Sequence, residues 1–157
     1  SYAMTGWRIG YLCAPQEIIN NALKQSQHTI TNVAEFTQRA ALVALTDAAV
    51  QTQVAQMVEA YARRREQVLA IYDAFGETPI EIIEPQGAFY FFLDARKLGL
   101  SSNEMAERIL NEKQVCLVPG SAYGSAGEGF LRMTTAAADE EIAEGFQRTL
   151  QWAANGG

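Results

Sequence analysis

The amino-acid sequence predicts an α/β protein in which helices come first and a body of short strands and helices follows. The chain has 157 residues, 48% of them apolar and 19% charged, a composition that supports an ordinary folded core. From residue 48 to residue 75 one helical period runs for about eight turns. Beyond residue 76, short apolar runs alternate with amphipathic helical segments, which is typical of an α/β or α+β body.

The first 45 residues are predicted to hold one strand and two helices. Aromatic and branched residues without helical spacing indicate a strand over residues 7–14. Pro15 suits the first turn of a helix over residues 16–27, and a second helix is predicted over residues 33–45. The first helix should bury the residues that recur at three-to-four spacing, which are Ile18, Ile19, Ala22 and Leu23.

The next element is predicted to be a long helix that begins after Asp47, a residue type that caps helices, and ends before Gly76. So long a helix usually connects two bodies. A free coiled coil is the alternative, which we disfavour because tyrosine and arginine interrupt the apolar seam. Residues 63–65 are three successive arginines that point in different directions on a helix, so we interpret them as solvated charge rather than a polyanion site.

Short strands are predicted next, over residues 80–83, 88–93, 115–118 and 130–134, with two helices between and after them. Ser101 and Glu104 have the spacing of a capping box at the start of the first helix. Acidic residues from Asp139 onward favour the positive end of the second helix.

Charge and composition restrict the classes of function. Lysine and arginine total 12 against 18 acidic residues, so the net charge of −6 disfavours general binding to nucleic acid. Cys13 and Cys116 lie far apart in apolar surroundings, which favours a reducing cytoplasm over a disulfide framework. No apolar run approaches membrane-spanning length and no signal peptide is recognisable, so we expect a cytosolic chain. No histidine–cysteine cluster predicts a metal site.

Two arginines are the candidate anion-binding residues. Arg8 lies between Gly6 and Gly10, where the backbone can approach a ligand, and its guanidinium suits a phosphate or carboxylate. Stacking on Trp7 or pairing with a buried acid would explain it equally well. Arg132 lies on the same face of a predicted strand as Phe130 and Thr134. Burying its guanidinium there is costly unless an anion binds it, and a structural salt bridge is the alternative.

Two glycine-containing segments are interpreted first as turns. Residues 119–124 follow a predicted strand but lack the lysine and the spacing of a Walker loop, so a tight connection is favoured over a nucleotide site. Residues 86–88 are likewise interpreted as a turn into a strand.

Taken together, four motifs resemble the class I and II aminotransferases. The opening Ser-Tyr-Ala-Met-Thr-Gly-Trp-Arg-Ile-Gly-Tyr of residues 1–11 is similar to the segment that follows the cofactor lysine in that family. Three further motifs occur in the family's order, and they are Pro-Gln-Gly-Ala-Phe-Tyr at 85–90, Val-Pro-Gly-Ser-Ala-Tyr-Gly at 118–124 and Phe-Leu-Arg-Met-Thr at 130–134. The resemblance spans essentially the whole chain.

The resemblance implies a fold-type I transferase that depends on pyridoxal 5'-phosphate, usually a homodimer, acting on an amino acid and a 2-oxo acid. It implies that Arg8 binds the cofactor phosphate and that Arg132 binds the substrate α-carboxylate. Residues 1–64 would form the C-terminal end of the large, cofactor-binding domain with the start of the connecting helix. Residues 65–157 would form the small C-terminal domain, so the chain is expected to be the C-terminal part of such an enzyme.

One feature of the family is missing from the sequence. The resemblance places the covalent cofactor lysine immediately before Ser1, and Lys24, Lys97 and Lys113 stand in the wrong contexts to replace it. We therefore expect no catalytic residue in this chain and no transamination by the chain alone. A chain divided at a cofactor-bearing lysine is our preferred explanation over a truncated polypeptide. A lyase that uses the same cofactor and a non-catalytic dimerisation module are the alternative functions, and no residue indicates the substrate.

Overall fold

The computed structural model describes residues 2–157, which form two compact units. The first unit ends at Val58 and the second runs from Glu59 to Gly157. This boundary lies inside the long helix, as does the domain boundary that we predict at residues 64 and 65. Ser1, where the first family-like motif begins, lies outside the described residues.

The first unit contains a 3-10 turn at Thr5–Trp7, helix α1 at Gln16–Thr29, helix α2 at Glu35–Thr46 and the beginning of helix α3. The two predicted helices are confirmed, whereas the predicted strand over residues 7–14 is wrong. The amide of Trp7 donates to the carbonyl of Met4 at 3.0 Å, which curls the backbone. Arg8 then adopts a left-handed conformation with φ 51° and ψ 44°. Within the described part of this unit no strand pairs with residues 9–15, and an extended segment needs such a partner.

The predicted buried face of α1 is also wrong. Ile18 and Leu23 are both more than half exposed, and the buried residues described in the first unit are Thr37 and Ala44. Helical spacing shows which side chains share a face, but their burial depends on a second layer that covers the face. Large apolar side chains of this unit therefore remain at its surface.

The long helix is confirmed as α3, which spans Ala48–Phe75. The carboxylate of Asp47 accepts a hydrogen bond from the amide of Ala49 at 2.8 Å, and Gly76 follows the last turn with φ 84°. Val68 is fully buried, and Leu69 and Tyr72 pack against the same core of the second unit. This part of α3 is thus a packed layer of the second unit and not a free coiled coil.

The second unit is built on a four-stranded antiparallel sheet in the order β1-β2-β4-β3. Its strands are β1 at Glu81–Ile83, β2 at Tyr90–Asp94, β3 at Val118–Pro119 and β4 at Phe130–Thr134. Four predicted strands are therefore present, although the third is only two residues long. Antiparallel pairing in this unit identifies its body as α+β.

One face of this sheet is covered by α3 together with helix α4 at Ser102–Lys113 and helix α5 at Asp139–Ala154. The hydroxyl of Ser101 accepts a hydrogen bond from the amide of Glu104 at 3.2 Å, as the capping pattern predicts. The core combines alternate strand residues with one stripe of each helix. Its members include Phe91, Leu93, Leu131, Met105, Ile109, Ile142, Phe146 and Leu150.

Two further expectations concern membranes and cysteines. Within residues 2–157 no helix has both the length and the apolar character that a bilayer span requires. Cys13 and Cys116 are both free thiols on the surface of their units.

Candidate functional site

Arg132 lies at the middle of β4 and points away from the helix-covered core. In the sheet register it is opposite Phe92 on β2 and Val118 on β3. Its neighbours Leu131 and Met133 are buried, whereas Arg132 is half-buried. This alternation confirms the predicted strand face and leaves the guanidinium on the open side of the sheet.

Two tyrosine rings flank the guanidinium of Arg132. Its central carbon lies over the ring of Tyr90, 4.3 Å from the centroid, and over the ring of Tyr123, 4.8 Å from the centroid. In the described chain, no carboxylate pairs with Arg132 and no oxygen accepts a hydrogen bond from its side chain. A structural salt bridge therefore does not explain this arginine, and its N–H groups are available to an anion.

The loop before β2 is held against α3, and this contact positions Tyr90 beside Arg132. The guanidinium of Arg65 donates to the carbonyl of Pro85 at 2.8 Å and also pairs with the carboxylate of Glu84. The ring of Phe89 stacks on that of Tyr61, with centroids 5.2 Å apart. Arg65 is thus half-buried and bonded, so interpreting it as solvated charge is wrong.

A second network of hydrogen bonds holds the end of the same loop that leads into β2. The amide of Thr135 donates to the carbonyl of Phe89 at 2.8 Å, which ties the end of β4 to the residue before Tyr90. The guanidinium of Arg64 donates to the carbonyl of Thr135 at 3.2 Å and to the carboxylate of Asp139 at 2.6 Å. Arg64 therefore also departs from the predicted solvated role.

Tyr123 lies in the glycine-containing connection that follows β3. Residues Gly120–Tyr123 form a 3-10 turn, and a second 3-10 turn follows at Ser125–Gly127. A side chain at Gly120 would place its Cβ 2.2 Å from the carbonyl oxygen of Gly127, so the two turns pack backbone to backbone. The segment is the tight connection that the sequence predicts, and its last turn residue reaches Arg132.

Arg8 lies on the surface of the first unit, directly after the 3-10 turn. One of its terminal nitrogens donates to the carbonyl of Thr5 at 3.3 Å. Among residues 2–157 no acid pairs with it and no ring stacks on it, so neither structural alternative is found. A Cβ at Gly6 or Gly10 would meet nothing within 4 Å, so the space beside each of these glycines is open.

None of the three lysines is placed as a nucleophile in the described residues. Lys97 donates a hydrogen bond to the carboxylate of Glu81, and this interaction raises the pKa of the lysine. A higher pKa keeps the amine protonated, which opposes attack on a carbonyl group. Lys24 is exposed on α1 and Lys113 ends α4. In the described ranges, no three histidine, cysteine or acidic side chains are grouped to hold a metal ion.

Sequence reasoning named both arginines as candidates and did not name the two tyrosines. Tyr90 lies diagonally from Arg132 across the β2–β4 pair, since Tyr90 is opposite Thr134. Tyr123 comes from the other side of β4. The sequence signal for both was their place in the family-like motifs at 85–90 and 118–124, but no sequence pattern shows which arginine they contact.

Comparison with known proteins identifies the class. The family model described as aminotransferase class I and II matches residues 1–148, so the chain belongs to that family. Members of the family are transferases that depend on pyridoxal 5'-phosphate.

Individual relatives support the same assignment. The chain is 38% identical over 148 residues to aromatic-amino-acid aminotransferase 2 of Thermococcus litoralis and 39% identical over 148 residues to an aspartate aminotransferase of Pyrococcus abyssi. Each alignment covers 94% of this chain and 37% of the relative. The chain therefore spans less than two-fifths of the length of these curated relatives.

Solved structures agree with the sequence relatives. The aromatic aminotransferase of Pyrococcus horikoshii has a TM-score of 0.86 at 39% identity, covering 96% of this chain and 39% of that one. The aspartate aminotransferase of Thermus thermophilus with maleate has a TM-score of 0.82 at 35% identity, covering 95% of this chain and 38% of that one. The described fold is thus a segment of the α/β aminotransferase fold.

The expected placement of the chain within that fold needs correction. We expected the C-terminal part of a fold-type I transferase, but the family match starts at residue 1 of this chain and ends at residue 148. A match that starts at the first residue gives no support to a C-terminal placement. We withdraw that placement and retain only the assignment to a segment of the fold.

Proposed function

We propose that this chain is the substrate-binding segment of an aminotransferase that exchanges an amino group between an amino acid and a 2-oxo acid through pyridoxal 5'-phosphate. The observation that carries the proposal is the half-buried guanidinium of Arg132, which has no acid partner among the described residues. Desolvating a cation costs free energy unless an anion compensates it. Both substrate classes of the family carry a carboxylate that meets this need.

Arg132 would bind the α-carboxylate of the amino acid or 2-oxo acid. The planar guanidinium presents parallel N–H donors that match the two oxygens of a carboxylate. Its position on a strand in the middle of a paired sheet limits its movement, so the bound carboxylate is held at a defined place. The contribution of Arg132 would be orientation of the substrate relative to the reacting bond.

Arg8 would bind the phosphate of the cofactor. Its exposed guanidinium, the open space at Gly6 and Gly10 and its freedom from acid partners in the described chain fit a phosphate group. When bound, pyridoxal phosphate delocalises the electron pair left at the amino acid's α-carbon after its proton departs. Arg8 takes no proton in this scheme and serves to retain and orient the cofactor.

No catalytic residue is assigned in this chain, because none of its three lysines stands in the family's context. We further propose that residues 1–64 belong to the cofactor-binding domain and residues 65–157 to the smaller domain. A homodimer and a cytoplasmic location complete the proposal, supported by the resemblance and by the free thiols of Cys13 and Cys116. The relatives are named for different amino acids, so no particular substrate is proposed.

The test separates the two arginines by what each one binds. Arg8→Ala should weaken the affinity of the chain for pyridoxal phosphate, measured by equilibrium dialysis, and leave binding of a 2-oxo acid unchanged. Arg132→Ala should do the reverse, with 2-oxoglutarate binding followed by NMR. Loss of a charge-assisted hydrogen bond predicts roughly a tenfold to hundredfold loss of affinity in each case.

Arg39→Ala is the matched control, because Arg39 is an exposed arginine that pairs with Glu35 on the same helix. It should change neither affinity. Equal binding of pyridoxal phosphate by the chain and by Arg8→Ala, or of 2-oxoglutarate by the chain and by Arg132→Ala, would refute the corresponding role. In the complete enzyme, a new amino acid as product supports transamination, whereas ammonia and pyruvate would indicate a lyase.

A further inference from the structure

We propose that Tyr90 and Tyr123 are positioning residues that hold the guanidinium of Arg132 so that a carboxylate binds along its N–H edge. The inference rests on the proposed carboxylate-binding role of Arg132. The two aromatic rings would restrict the direction from which a carboxylate approaches the guanidinium.

The order of the strands places the two rings on different sides of Arg132. β4 lies between β2 and β3, so Tyr90 at the start of β2 and Tyr123 just after β3 reach Arg132 from different sides. The guanidinium carbon lies within 5 Å of both ring centroids, at 4.3 Å and 4.8 Å. A ring face attracts the cation but accepts no ordinary N–H hydrogen bond from it. The rings therefore hold the cation while its donors, which lie in the guanidinium plane, stay free.

The rings are themselves restrained by the backbone that carries them. The loop before Tyr90 is bonded to Arg65 through the carbonyl of Pro85, and the stack of Phe89 on Tyr61 fixes its last residue. The turn that ends at Tyr123 packs against Gly127 through Gly120. A long arginine side chain has considerable rotamer entropy to lose on binding a ligand. Two restrained rings reduce that loss before the ligand arrives.

Both rings remain partly exposed, with 37% of Tyr90 and 54% of Tyr123 accessible. Neither phenolic hydroxyl has a hydrogen-bond partner in the chain as described. Burial of the rings in a core is thus not what places them here, and their shared contact is the guanidinium. This arrangement admits an anion at the open edge of Arg132 and disfavours a ligand that needs to stack on the guanidinium face.

The experiment follows the Arg132 side chain directly in the 157-residue chain. Its Nε–Hε resonance is assigned by its loss in Arg132→Lys, and the chain is titrated with acetate, with methyl acetate as the uncharged comparison. Acetate should shift this resonance and methyl acetate should not. Tyr90→Leu and Tyr123→Leu should each weaken acetate binding by roughly threefold to tenfold, because they keep apolar bulk and lose the ring face.

Tyr90→Phe and Tyr123→Phe keep the ring and should restore affinity to within about twofold of the original chain. Tyr11→Leu is the control, because Tyr11 is 85% exposed in the first unit, and it should change nothing. Intact folding of each variant is checked by the fluorescence of buried Trp152 after Trp7→Phe has removed the other tryptophan. If one leucine variant fails to fold, the leucine variant of the other tyrosine and both phenylalanine variants still test the positioning role.

The outcomes separate this inference from the proposed function. If acetate shifts the Arg132 resonance and the leucine variants bind it as tightly as the original chain, the positioning role is overturned and the carboxylate role of Arg132 stands. If phenylalanine fails to restore what leucine loses, the ring face is not responsible and the positioning role is again overturned. If acetate leaves the resonance unmoved in the original chain, the proposed function of Arg132 falls as well.

Discussion

The tight backbone contact between Gly120 and Gly127 leads to a strong prediction about stability. A Cβ at position 120 would lie 2.2 Å from the carbonyl oxygen of Gly127 and 2.9 Å from both the Cβ and the carbonyl oxygen of Phe130. Ordinary contact begins at 3.4 Å, so the two turns would have to separate by more than an ångström. The obstacles include two backbone oxygens, which cannot rotate away as a flexible side chain can.

Gly120→Ala should therefore destabilise the second unit near the upper end of the range for overpacked sites, by about 3 kcal/mol. For a folded unit of roughly 100 residues, this loss lowers the melting temperature by roughly 15 °C. Because the same turn carries Tyr123, the substitution should also disturb the contact of that ring with Arg132. Stability and site geometry are thus coupled through one glycine.

Thermal unfolding followed by Trp152 fluorescence measures this loss. Trp152 is 2% exposed in the second unit, and Trp7→Phe in every sample removes the other tryptophan. Gly87→Ala is the matched control, because a Cβ there meets nothing within 4 Å and its φ lies outside the left-handed range. It should change the free energy of unfolding by less than about 0.5 kcal/mol. Equal melting temperatures for the two alanine variants would refute the close packing of the turns.

Two further predictions concern single polar groups of the second unit. Ser102 is fully buried, and its hydroxyl accepts a hydrogen bond from the amide of Gly129 at 2.7 Å. Ser102→Ala should therefore lower the free energy of unfolding by about 1–3 kcal/mol, because that amide loses its partner. The urea midpoint should fall, and hydrogen exchange at the Gly129 amide should become faster. Unchanged exchange at Gly129 would contradict this explanation. Hydrogen bonds from Arg96 lower the pKa of Asp94, so its stabilising contribution is present above about pH 4 and is lost as the pH falls through the folded-state value. Asp94→Asn should lower the free energy of unfolding by about 1 kcal/mol at neutral pH, a small value because Arg96 is largely exposed. This difference between the two proteins should shrink in acid. A difference that grows in acid would show the opposite linkage.

Local patterns predicted the helices and strands of the second unit well, because their signals act between near neighbours. The Ser101 cap, the start of α5 at Asp139 and the end of α3 at Gly76 all appear as predicted. The alternation in β4 correctly put Arg132 on the face opposite the core. These features depend on contacts within a few residues, which periodicity and capping chemistry describe directly.

Errors arose where the outcome depends on distant partners. Residues 7–14 have strand-like composition but no described strand to pair with in their unit, and the apolar face of α1 has no covering layer there. Arg65 resembled solvated charge until the fold brought Pro85 beside it. Composition and spacing contain no information on such partners.

The order of residues was therefore sufficient to predict the aminotransferase family and the helical and strand segments of the second unit, and to propose two candidate anion-binding arginines. The pairing of β2 and β3 with β4 was needed to bring Tyr90 and Tyr123 to Arg132 and to show that no described acid neutralises it. The physical reason is that a side chain's chemical type is local, whereas its neighbours across a sheet depend on register and on loops that close over many residues.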